Sequence, residues 1–148
     1  MNRDFAEILA SFSAANVEFL VVGAYAVAVH GRPRATGDLD IWVNPTPENA
    51  ARVWRALTEF GAPLDQLRLE DFSSADLVFQ MGVPPSRIDI LTGISGVSFS
   101  EAWPERVTVT VEGSAVPVLG RAALLRNKRA AGRPRDIADL AELEAGEA

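Results

Sequence analysis

At 148 residues, 48% apolar and 23% charged, the chain has the length for a single globular domain spanning 1–148 that buries roughly two-thirds of its unfolded surface. The absence of cysteine excludes a disulfide framework, thiolate catalysis and cysteine-ligated zinc, and a formal charge of −6 argues against broad nonspecific binding to nucleic acid. Asp4 and Glu7 interrupt the apolar run a signal peptide would need, and no stretch approaches the ~20 apolar residues of a membrane span, so a cytoplasmic protein is expected.

Phe5, Ile8, Leu9 and Phe12 recur at helical spacing, and the β-branched run from Val17 to Val22 reads as a strand ending at Gly23. The small apolar segment Ala24 to His30 predicts a short buried helix with Gly31 as its C-cap and His30 as a C-terminal cap. Asp38 to Val43 is the second strand. Thr46 as N-cap and Pro47 at the first helical position open a helix with Ala50, Val53, Trp54 and Leu57 on one face, closed by Gly61. Residues 62–75 carry no clear period. Leu77 to Met81 and Arg87 to Leu91 predict two strands around a Pro-Pro turn, and Val107 to Val111 and Ala115 to Val118 predict another pair. From Arg121 onward two helices are expected, separated by Gly132, with Pro134 starting the second. The pattern is that of one α/β domain with a mixed sheet flanked by helices.

The anomaly lies at the head of the second strand. Alternation places Asp38, Asp40 and Trp42 on one face and Leu39, Ile41 and Val43 on the other, which is the expected core face. Aspartate is depleted from strands, and two carboxylates two residues apart raise each other's pKa unless a cation or donors compensate. One account has Asp38 capping a loop and Asp40 at a solvated sheet edge. The other adds Asp89, again an acid in a strand between Ile88 and Ile90, giving an oxygen-rich site suited to Mg²⁺. Gly23, between strand and helix, fits either a purely geometric turn or a phosphate seat beside free helix N–H groups. Six of the 14 basic residues fall between Arg121 and Arg135 without one acid, a candidate anion site. Trp42, Trp54 and Trp103 are dispersed, so packing is their expected role, as is burial for Tyr25.

The residues VVGAYA at 21–26, RATGDLD at 34–40 and RIDILT at 87–92 resemble the glycine turn, paired aspartates and third aspartate of the DNA polymerase β-like nucleotidyltransferase superfamily. The ending NKRAAGRPRDIADL at 127–140 is similar to that of AbiEii-type and related small bacterial nucleotidyltransferases. The resemblance implies a nucleotidyltransferase fold with two C-terminal helices. It implies that Gly23 and the backbone of Ala24 hold a triphosphate, and that Asp38, Asp40 and Asp89 ligate Mg²⁺, with Asp89 also activating an acceptor hydroxyl. Lys128, the only lysine, would reach a phosphate or the acceptor, oriented by Asp136. Without the resemblance, Lys128 and Asp136 read equally well as residues that offset helix dipoles. Ala24 departs from the family's second Gly or Ser and removes a hydroxyl contact. Arg34, Thr36 and Arg32 are candidates for phosphate contacts, and Asp139 for a solvated or salt-bridged place on the face of Asp136.

The expected activity is transfer of a nucleoside monophosphate from an NTP to an acceptor hydroxyl of RNA or tRNA, protein or a small molecule, releasing pyrophosphate. The alternative is a catalytically weak nucleotide-binding or partner-binding module of a toxin–antitoxin-type system, with an antitoxin or other protein as partner.

Overall fold

The structure, a computed structural model, describes residues 1–31 and 36–146; Arg32 and Arg34 lie outside the described residues. Its six-stranded sheet comprises β1 (Phe19–Val22), β2 (Asp38–Val43), β3 (Val78–Met81), β4 (Arg87–Leu91), β5 (Val107–Val111) and β6 (Ser114–Val118), in the order β3-β4-β2-β1-β6-β5. β2 runs parallel to β4 and β1 parallel to β6, while β1–β2, β3–β4 and β5–β6 are antiparallel. The helices are α1 (Arg3–Ala14), α2 (Gly23–His30), α3 (Pro47–Phe60), α4 (Phe99–Ala102), α5 (Arg121–Ala131) and α6 (Pro134–Ala145). Among the described residues no helix is long and apolar enough to cross a membrane.

Local chemistry accounts for most boundaries. Asn2 caps α1 by accepting from the Asp4 and Phe5 N–H groups, and α1 buries the expected stripe of Phe5, Ile8, Leu9 and Phe12. Thr46 accepts from Asn49 N–H at 3.2 Å to start α3, which stops at Gly61 in the left-handed conformation. The unassigned stretch 62–75 holds a short 3-10 turn, Leu69–Ser73, whose one buried anchor is Phe72. A lone anchor leaves no period to read.

Gly31 is the C-cap of α2 as expected, with φ of −132° in place of a left-handed turn, but one expectation about this helix fails. His30 does not cap its own helix: its Nε2–H donates to the Leu119 carbonyl at 2.7 Å, tying α2 to the segment after β6. β2 is also buried on both sides, because Phe99 packs edge-on over Trp42 with ring centroids 5.1 Å apart and Trp103 stacks behind it. The face shared with Asp38 and Asp40 is therefore open only at its amino-terminal half. Tyr25 is half-buried and packs its ring edge-to-face on Phe5 of α1.

Candidate active site

Strand register brings the acids together. In the parallel β2–β4 pair Asp40 lies opposite Asp89 and Asp38 opposite Arg87, and on the other side of β2 Asp40 lies opposite Val22. Carboxylate oxygens of Asp38, Asp40 and Asp89 all fall within 4.8 Å of one another. Burial and the negative neighbours Asp38 and Asp89 push Asp40 up to about 7. Arg87 acts against this shift, and its Nε and Nη2 donate to the two oxygens of Asp89 at 3.1 and 3.0 Å. Arg87 and Asp89 are two apart on one strand, so alternation places both on the acidic face. Thr36 hydrogen-bonds Asp38, its Oγ1 lying 3.1 Å from the carboxylate and 3.0 Å from the Asp38 carbonyl. Thr36 is thereby held at the acidic cluster.

Gly23 explains how Asp40 gains room. It follows Val22, the register partner of Asp40, and turns from β1 into α2 at φ +66°. A Cβ there would collide with the Asp40 carboxylate. Glycine is required by both conformation and space. Val22, the N-cap of α2, provides no side-chain cap, so the first turn directs uncapped N–H groups toward the cleft lined by Gly23, Ala24, Asp38 and Asp40.

The cleft has two lobes that share Gly23, Asp40, Lys128 and Arg133. The wider lobe, about 330 Å³, continues along Leu91, Ile94, Ser95 and Asn127; the narrower, about 80 Å³, is lined by Asp38, Arg135 and Asp139. Asn127 Nδ2 donates to the Ser95 carbonyl at 2.9 Å, fixing the loop after β4 against α5. Gly96 allows this approach, since a Cβ there would press 2.5 Å from that of Ala130.

Opposite the acids, α5 and α6 bury a paired cluster. Lys128 Nζ lies 3.1 Å from Asp136 Oδ1 and 3.1 Å from Asp139 Oδ2. Arg133 donates to Asp136 through its backbone N–H, Nε and Nη2 at 3.1, 2.7 and 3.2 Å. The Arg133 and Lys128 hydrogen bonds hold the fully buried Asp136 carboxyl well below the usual carboxylate range. Gly132, left-handed at φ 62°, and Pro134 make the tight turn that folds α6 back onto α5. Both residues were legible as helix punctuation, and the Lys128–Asp136 pairing matches what the resemblance implied; the part played by Arg133 was not foreseen.

The basic window 121–135 divides in two: Lys128, Arg133 and Arg135 line the cleft, while its other three basic residues are engaged elsewhere. Arg121 donates to the Leu143 carbonyl, Arg126 pairs with Glu105, and Arg129 pairs with Glu144. These partners come from residues outside the window. Arg87 and Arg133 are the neighbours of the acids that sequence reasoning passed over. The i, i+2 and i, i+3 spacings to Asp89 and Asp136 were the available signal.

No protein-family model matches the chain, and no curated protein matches it in sequence. Its structure is similar to a crystal structure from Thermotoga maritima described as a "putative nucleotidyltransferase", with a TM-score of 0.60 and 19% identity over 99% of this chain and 96% of that one. The likeness is one of fold: the chain has a nucleotidyltransferase fold, a mixed sheet flanked by helices. The donor set fits a hard divalent cation, since it offers carboxylate oxygens at close range, under-neutralised, beside a glycine that keeps the approach open.

Proposed function

We propose that the protein is a Mg²⁺-dependent nucleotidyltransferase that moves a nucleoside monophosphate from an NTP to an acceptor hydroxyl. The observation that carries this reading is the convergence of Asp38, Asp40 and Asp89 within 4.8 Å, at the turn where Gly23 starts α2. Asp38, Asp40 and Asp89 would hold the metal, which supplies positive charge to the phosphate oxygens when bound. The α2 N-terminus at Gly23 and Ala24 seats phosphate by backbone donation, which needs no hydroxyl at Ala24. Thr36 fixes Asp38, and Arg87 orients Asp89 while offsetting the charge of the three acids.

The acceptor oxygen forms a bond to the α-phosphorus, the bond from that phosphorus to the bridging oxygen breaks, and pyrophosphate leaves. Asp89 accepts the hydroxyl proton, and Lys128, held by Asp136, donates to a phosphate or to the acceptor.

One feature favours the second reading, a nucleotide-binding or partner-binding module of a toxin–antitoxin-type pair. Arg87 already engages both oxygens of Asp89. Incubation with each α-labelled NTP, Mg²⁺ or Mn²⁺, and RNA, protein or small-molecule acceptors separates the two. Transfer that drops by about a thousandfold in Asp40→Asn supports the enzyme. NTP binding by calorimetry with no transfer to any acceptor supports the module.

A further inference from the structure

Lys128 is buried at 5% exposure and lines both lobes together with Asp40. Asp38, Asp40 and Asp89, with Arg87 bonded to Asp89 among the described residues, would draw an ammonium that shares their cleft. Lys128 instead has two aspartates of α6 within 3.1 Å. Those aspartates are not equivalent. Asp136 is fully buried and takes three Arg133 donors besides Lys128, so its carboxylate closes the α5–α6 turn. Asp139, three residues on and on the same helical face, lines the narrow lobe beside Asp38 and Asp40.

We propose that Asp139 is a positioning residue whose carboxylate holds the Lys128 ammonium on the α6 side of the cleft and keeps it from neutralising the acids that take the metal. This rests on the metal-site reading above. Replacing Asp139 with asparagine keeps the shape and removes the charge. The ammonium then shifts toward Asp40, and the affinity of the nucleotide-free chain for Mn²⁺ falls roughly tenfold, the scale of one nearby like charge at an intermediate dielectric. Adding Lys128→Gln to Asp139→Asn removes the intruding charge and restores wild-type affinity, which a merely structural role for Asp139 would not do.

The experiment titrates the full chain with Mn²⁺ alone and reads free Mn²⁺ by electron paramagnetic resonance, with thermal melting to report folding. Unchanged affinity in folded Asp139→Asn, or no recovery in the double variant, overturns the proposal. If Asp139→Asn does not fold, Lys128→Gln alone decides. Its Mn²⁺ affinity should equal wild type because the ammonium is already held away, and a marked rise overturns the proposal. Wild-type Mn²⁺ binding that disappears in Asp38→Asn, combined with an indifferent Asp139→Asn, removes this inference only. No wild-type Mn²⁺ binding at all removes the metal site and this inference with it.

Discussion

The two walls of the cleft solve opposite electrostatic problems. On the strand wall, among the described residues, three acids cluster with Arg87 bonded to Asp89, and Asp40 is pushed up to about 7. On the helix wall Lys128 and Arg133 meet Asp136 and Asp139, and Asp136 is pushed below its usual range. A wall whose charges already match is a structural joint. A wall left with excess negative charge in a desolvated cleft is a place where a cation gains most by binding.

The sharpest way to break this contrast on the helix wall is to remove Asp136. Asp136→Ala removes one of the two aspartates beside the buried Lys128 and the partner of the solvent-exposed Arg133, and urea unfolding should show a loss of about 3 kcal/mol. The two walls should also respond oppositely to pH. Asp40 rises from 3.8 toward 7 on folding, so the folded state keeps a proton that the unfolded chain releases. Stability without divalent metal therefore falls as pH rises from about 4 to 7 and stays low above, by about 2 kcal/mol after allowance for partial exposure. Asp136 acts in the other direction: its contribution is present above the ordinary aspartate pKa and is lost as pH falls below it. Urea midpoints across pH 3 to 8 should peak between these limits, and Asp40→Asn should flatten the upper limb alone.

Gly23→Ala probes how the walls are joined. A left-handed φ costs about 1–2 kcal/mol for a residue with a Cβ, and the added methyl meets the Asp40 carboxylate. Calorimetry should show Mn²⁺ binding lost together with that stability decrement. The smallest effect belongs to the exposed Arg129–Glu144 pair between α5 and α6. Arg129→Ala should change the unfolding free energy from urea titration by less than about 0.5 kcal/mol, which separates the buried joint from its solvated edge.

Residues whose chemistry is local were readable in advance. Thr46, Pro47 and Gly61 bound α3, Gly132 and Pro134 divide α5 from α6, and alternation placed Asp38 and Asp40 on one face. Asp89 could be joined to them only as an expectation, because its approach depends on the parallel pairing of β2 with β4, set by a connection of more than 40 residues. Trp42 was legible as a packing residue, yet the burial of its face by Phe99 and Trp103 was not, since those residues lie about 60 positions away.

By itself the sequence determined the periodic elements, their caps and the presence of acids where strands rarely carry them, because φ/ψ preference and side-chain alternation act between near neighbours. Only the tertiary structure decided which charges meet. Arg126 and Arg129 found Glu105 and Glu144, while Lys128 was drawn between Asp136 and Asp139. Asp40 was left beside Asp89 against a glycine with no side chain to crowd it. Coulomb energy depends on distance and dielectric, and both are set by packing across the chain.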